Sequence, residues 1–226
     1  MPSKRYTELT KLYDKNTVHT TEEALGLLKK MGSTKFDEGV ELHLNLGINP
    51  QKSDQQIRGT ISLPHGVGKS KRVAAFVEAE KEAEAKKAGA DIVGGEELIA
   101  EIAQKGNLEF DVAIATPGMM SKVSKLAKLL GPRGLMPNPK TDTVGTNIEK
   151  MITEQKAGKQ SFKNDDTGNI HQLFGRVSFS EDQLNDNLVA MTDTIKKMKP
   201  AGAKGVFIKS ATVSTTMGPG IKIETF

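Results

Sequence analysis

Near the C-terminus, Thr212, Ser214 and Thr216 alternate with Ala211 and Val213. Successive side chains of an extended segment point to opposite faces, so this spacing sets a row of short hydroxyls over an apolar underside. The run leads into Met217-Gly218-Pro219-Gly220. Glycine lets backbone approach a partner closely, a thioether can lie on a ribose or base, and hydroxyls suit 2′-OH and phosphate groups. The chemistry open to these residues together is contact with RNA. The same alternation also describes the polar outer face of an edge strand. It slips between Ile208 and Ser210, where a bulge or bend is expected.

A second candidate is Gly66-Val67-Gly68-Lys69-Ser70, which ends like a phosphate-cradling loop. That loop needs a glycine five residues before Gly68, but Leu63 stands there and Pro64 removes a backbone donor. A nucleotide-binding P-loop or Rossmann-type enzyme is therefore the alternative function, with its own motif arguing against it. Lys69, Lys71 and Arg72 stay open as phosphate contacts for RNA or as a solvated basic face. His19, His43, His65 and His171 fall in four separate segments, a distribution that supports neither a metal site nor a nucleophile-base pair. Glu78, Glu80, Glu82 and Glu84 are interleaved with Ala and Lys and read as a solvated helix face. The expectation is no enzyme activity, no cofactor and no metal.

Composition narrows the partners. The 226 residues contain no cysteine, which excludes disulfides and thiolate metal centres and fits a reducing compartment. No apolar run approaches a membrane span, and no apolar stretch follows Lys4 and Arg5, so neither an anchor nor a standard export signal is predicted. The net charge of +4 is spread thinly. Residues 1 to 66 carry nine Lys/Arg against eight Asp/Glu, 67 to 158 fourteen against thirteen, and 159 to 226 nine against seven. Without a basic tail, RNA must be met by a folded patch, with shape and hydroxyl contacts carrying much of the recognition. With 4% aromatic residues and no tryptophan, base stacking cannot be widespread.

These residues need elements to hold them. Thr20 and Glu23 form a capping box ahead of Ala24, Leu27, Leu28 and Met31, predicting an amphipathic helix. Val40, Leu42, Leu44 and Leu46 alternate with Glu41, His43 and Asn45, predicting a strand with one wet face; residues 57 to 63 repeat the pattern. From Val73 the rhythm changes to short apolar runs (73–77, 91–93, 110–115) separated by helical stretches (78–87, 96–104, 119–130), ending in a helix over 147–157. Alternating β and α units of this kind predict a parallel sheet covered by helices, a three-layer α/β arrangement. After Gly158 the half-exposed style returns around Phe162, Ile170 and Leu173, and Ser180 with Gln183 caps a helix bearing Leu184, Leu188, Met191 and Ile195.

Segments 1–66 and 159–226 would each struggle to build a core alone. Joined, they make an ordinary domain. The expected fold is thus α/β and α+β: a discontinuous α+β sandwich domain of 1–66 and 159–226, with an inserted Rossmann-like α/β domain of 67–158. Gly66 and Gly158 mark the two crossings, a natural hinge.

The most informative string carries no catalytic side chain. Gly131-Pro132-Arg133-Gly134-Leu135-Met136-Pro137-Asn138-Pro139 is five-ninths Gly and Pro, which predicts neither helix nor ladder strand. Gly131 stands where a helix C-terminal glycine belongs, after Val123, Leu126 and Leu130. This string closely resembles the signature of the ribosomal protein L-one family. Residues 56–66 (Gln56 to Gly66) resemble the family's second string and Thr215-Thr216-Met217-Gly218-Pro219-Gly220 its third, in family order along the whole chain. Asp142, where the family usually has Gly, and Asn49, where an acid is common, depart from the pattern.

The resemblance implies the same nested fold and a non-enzymatic protein of the large ribosomal subunit in the cytoplasm, monomeric within the ribosome. It implies binding to 23S rRNA at the mobile side stalk, help in releasing deacylated tRNA from the E site, and repression of translation from its own operon mRNA. It also implies that Phe36, with Thr216 and Met217, forms the RNA contact centre on the discontinuous domain, although the phase shared with Val40 and Leu42 predicts core packing for Phe36. The RNA-binding set is Thr34, Lys35, Phe36, Lys163, His171, Ser210, Thr212, Ser214, Thr216, Met217 and Gly218. The role of the 131–140 loop has no physical account at this level.

Overall fold

The computed structural model describes residues 3–106 and 108–225. The chain divides into two compact units, Met1–Gly68 with Phe162–Phe226, and Lys69–Ser161. Helices α1 (Lys4–Leu9) and α2 (Thr21–Met31) and strands β1 (Gly39–Leu46) and β2 (Arg58–Ser62) come first. The second unit follows with β3 (Val73–Phe76), α3 (Glu82–Lys87), β4 (Ile92–Gly94), α4 (Glu96–Lys105), β5 (Val112–Ala115), α5 (Met120–Val123), α6 (Ala127–Leu130) and α7 (Ile148–Lys156). Strands β6 (Lys159–Lys163) and β7 (Asn169–Arg176), helix α8 (Glu181–Lys197) and strands β8 (Ile208–Thr215) and β9 (Ile221–Ile223) complete the chain. The expected mixed α/β class is the one that forms.

In the first unit an antiparallel sheet runs β7-β1-β8-β9; a two-stranded sheet pairs β2 with β6, of which Phe162 and Lys163 belong to this unit. The inward phase of β1 places Val40, Leu42, Leu44 and Leu46 in one core with Leu28 and Met31 of α2 and Leu184, Leu188, Met191 and Ile195 of α8. Both helices begin with the reciprocal capping boxes that the sequence predicts, Thr20 with Glu23 and Ser180 with Gln183. Helix α8 also carries a fully buried amide. Asn187 donates to the carbonyls of Phe174 (2.8 Å) and Gly66 (3.0 Å) and accepts from the His65 N–H (3.1 Å). One side chain thus ties three backbone groups together, and it satisfies the Phe174 carbonyl, which burial would otherwise leave without a partner.

The second unit is a parallel sheet in the order β4-β3-β5 with a separate apolar cluster on each face. One face packs under Ile99 and Ile102 of α4 and Val123, Leu126 and Leu130. The other packs under Ala85 of α3 and Ile148 and Ile152 of α7. The single helix expected over 119–130 is instead α5 and α6 joined by a 3-10 turn at Ser124–Leu126.

The helix-ending glycine is Gly134, not Gly131. Gly131 keeps helical angles (φ −59°, ψ −56°), while Gly134 takes φ +68°. The N–H of Leu135 reaches the carbonyl of Leu130 and that of Gly134 the carbonyl of Gly131, both at 3.0 Å, the paired closure of a Schellman motif. Leu130 and Leu135 pack in the same cluster. Beyond it the string does form a short 3-10 turn, Pro139–Thr141. Asn138 organises that part of the loop: its Oδ1 accepts from Lys140 N (2.8 Å), and its carbonyl accepts from Thr143 N and the Thr141 hydroxyl.

Asp142 is the one non-glycine with positive φ (+50°) among the described residues. Left-handed backbone favours glycine and tolerates Asp better than most side chains, so an aspartate can occupy this position. The aspartate also gains a partner: Lys159, whose side chain is only 11% exposed, donates to Asp142 (2.8 Å) and Glu154 (2.7 Å). Burial pushes the Lys159 ammonium down, but the two carboxylates outweigh it and hold its pKa above the usual lysine value.

Candidate nucleic-acid interface

The outward phase of β1 supplies Glu41, His43 and Asn45, and register fixes their neighbours. His43 lies opposite His171 of β7 and Thr212 of β8, and Thr212 opposite Lys222 of β9. Asn45 lies between Asn169 and Ser210, and Glu41 faces Ser214. The hydroxyl row expected from the alternation is therefore flanked by imidazoles and amides on one sheet face. The predicted slip is also located: the register jumps from Asn45 opposite Ser210 to Leu46 opposite Ile208, leaving Lys209 as the extra, exposed residue.

This face is hydrogen-bonded across strands. His43 Nε2 contacts the Ser214 hydroxyl at 3.0 Å and Nδ1 meets His171 Nδ1 at 2.8 Å. A nitrogen-nitrogen hydrogen bond needs a lone pair on one ring, so both imidazoles cannot be charged while it lasts. Burial, then the His171 charge, push the His43 pKa below the usual histidine value against the opposing pull of Glu41.

At the end of β8 the chain turns, and the turn is tied to the segment before β1. Thr216 N donates to the Gly39 carbonyl (3.0 Å), and the Thr216 hydroxyl accepts from Gly39 N (3.0 Å). Met217 N donates to Glu38 (3.1 Å), a carboxylate only 1% exposed. Burial alone would raise the Glu38 pKa, but the polar groups around it, the Met217 N–H among them, and the charge of Arg5 outweigh it and hold the carboxyl below its usual value. Met217 is 49% exposed and Phe36, two residues before Glu38, is 55% exposed. Phe36 thus does not pack in the core as its phase suggested. The strand begins only at Gly39, and a bend over residues 34–36 breaks the alternation before it reaches Phe36.

The remaining predicted residues are placed less uniformly. Thr34 is half-buried with its hydroxyl on the Phe36 carbonyl (2.9 Å), and Lys35 is exposed beside it. Ser210, Thr212, Ser214 and His171 share the sheet face. Lys163 does not join them: it is exposed at the end of β6, on the two-stranded sheet. Gly218 has an internal reason for being glycine, because a Cβ there would collide with the Thr215 hydroxyl. Sequence reading missed Arg5 and Glu38. For Glu38 a signal existed, since the phase that buries Val40 buries it too; for Arg5 none did. The Gly66–Ser70 segment leads into β3 rather than into a helix, which removes the N-terminal donors a phosphate loop requires. Among the described residues no cluster of His, Cys, Asp and Glu could hold a metal ion, and no helix is long and apolar enough to cross a membrane.

Fold and surface define a class, a two-unit mixed α/β protein with an open, polar, hydroxyl-lined sheet face next to exposed Phe and Met. The chain belongs to the ribosomal protein L1p/L10e family, whose sequence model matches residues 28–219. It is 55% identical over 222 residues to the large ribosomal subunit protein uL1 of Kosmotoga olearia, covering 98% of this chain and 96% of the relative. The uL1 proteins of Fervidobacterium nodosum and Thermosipho melanesiensis are 54% and 51% identical over the same length, covering 98% of this chain and 94% and 96% of theirs. The family is one of structural ribosomal components and not of enzymes.

Proposed function

We propose that this protein is a constituent of the large ribosomal subunit that binds 23S rRNA at the mobile side stalk. Its first unit is the RNA-binding domain, and the second is an inserted α/β domain that adds contacts. The observation carrying this reading is the meeting of two distant segments, 34–39 and 215–218, at a backbone-tied turn flanked by exposed Phe36 and Met217. Family membership and relatives named as large-subunit proteins support it. A rigid polar sheet face with one ring and one thioether suits a folded RNA surface, where 2′-hydroxyls and phosphates offer most of the contacts. The same surface would bind a matching structure in the protein's own operon mRNA, so repression of translation follows from competition between two RNAs for one site. Help in releasing deacylated tRNA from the E site rests on the family resemblance, as does its place as a monomer within the ribosome of the cytoplasm.

The test is titration of the full chain against a 23S side-stalk RNA fragment over a range of salt. Log affinity should fall with log salt, and Phe36→Ala and Met217→Ala should each weaken binding by roughly tenfold or more with an unchanged melting temperature. Wild-type affinity in both folded variants would overturn the assignment. Thr216→Val is a poorer probe, because it also strips Gly39 N of its partner.

A further inference from the structure

Helix α1 does not stand apart from the surface just described. Its Arg5 donates through Nη2 to the Met217 carbonyl at 2.6 Å and through Nη1 to the Ser33 hydroxyl at 3.4 Å. One guanidinium thus spans both segments that flank the exposed Phe and Met. A second tie lies further on, where the Tyr13 hydroxyl donates to the Gly220 carbonyl at 2.8 Å. Leu9, buried in the core of the first unit, anchors the segment between them. The turn it crosses, Met217-Gly218-Pro219-Gly220, holds two glycines, which have the most conformational freedom to lose. Met217 is therefore held at both ends of its backbone: Glu38 accepts from its N–H and Arg5 donates to its carbonyl.

We propose that the N-terminal segment is a third component of the RNA-binding surface, in which Arg5 is a positioning residue that fixes the Met217 turn against residues 33–38. This rests on reading that surface as the RNA site. Arg5 acts through Met217 and Ser33 and does not itself neutralise a phosphate. The planar fork of the guanidinium is what lets one side chain serve two acceptors, which a lysine ammonium cannot reproduce in the same geometry.

The experiment compares the full-length protein with Arg5→Ala, Arg5→Lys and Tyr13→Phe, measuring affinity for a 23S side-stalk RNA fragment at several salt concentrations, with melting temperature and the Met217 methyl NMR signal as controls. Arg5→Ala is expected to weaken binding about tenfold, to shift and broaden the Met217 methyl signal, and to leave the salt slope unchanged. Arg5→Lys should recover little of the loss, and Tyr13→Phe should weaken binding a fewfold. A salt slope reduced by about 0.7 to 0.9, the signature of one lost phosphate contact, would overturn the positioning role, as would full rescue by lysine. Unchanged affinity and an unmoved Met217 signal in Arg5→Ala would overturn the proposal while leaving the RNA site standing. Failure of the unmutated protein to bind the RNA would instead bring down the reading of the surface itself.

Discussion

An exposed phenylalanine forgoes most of the roughly 1.5–3 kcal/mol that full burial of such a side chain would contribute. Phe36 and Met217 both do so beside one backbone-tied turn, and that shared location is what sets them apart from apolar residues scattered singly over a surface. The histidine pair adds a charge state to the same face. Because the His43 pKa is depressed from 6.5, the folded protein binds fewer protons than the unfolded chain as pH falls below that value. Stability should therefore be greatest above about pH 7 and decline as the solution is acidified through the unfolded-state pKa near 6.5. Comparing melting temperatures of the wild type and His43→Gln between pH 8 and pH 5.5 checks this: the variant should lose part of the pH dependence. An identical pH profile in both would show that His43 does not contribute to the pH dependence of stability.

Elements earn their place by what they satisfy as well as by what they bury. In α8, the apolar stripe from Leu184 to Ile195 accounts for the helix packing on the sheet, but Asn187 accounts for how the helix holds β7 and the chain at Gly66. Asn187→Ala would leave the buried Phe174 carbonyl and the Gly66 carbonyl without their donor and the His65 N–H without its acceptor, at a cost of roughly 3 kcal/mol. Urea denaturation should show a lower midpoint with an unchanged slope; a loss under about 0.5 kcal/mol would mean water replaces the amide. The 131–143 string is understood on the same terms. Its glycines and Asn138 close a helix and shape a turn, so the Gly- and Pro-rich composition of the string is, inside the second unit, what its backbone geometry needs.

At the scale of the whole molecule, the buried apolar clusters respect the division of the chain. Among the described residues, the first unit's core draws only on residues between Leu9 and Val67 and between Phe162 and Ile223, while the other two clusters draw only on residues between Val73 and Ile152. Residues 1–68 joined by a short linker to 162–226 should then melt cooperatively and keep most of the affinity for the side-stalk RNA. A joined protein that folds but binds more than about a hundredfold more weakly, roughly 2.7 kcal/mol, would show that the inserted unit carries a main share of recognition.

Local periodicity was enough to place α2, β1, α8 and the parallel sheet, because a buried face repeats every two or about 3.6 residues and caps mark where helices start. It was enough as well to put Thr212 and Ser214 on one face and to show a slip before Ser210. Short elements such as α1 and β9 left too few repeats to be read. Only the tertiary structure decided that Phe36 faces outward, that Gly134 ends the helix, that Lys163 lies on another sheet, and that Arg5 reaches Met217, 212 residues away. Those outcomes depend on where a strand begins and on which distant segments meet, and contacts between segments so far apart leave no period in the chain for sequence alone to display.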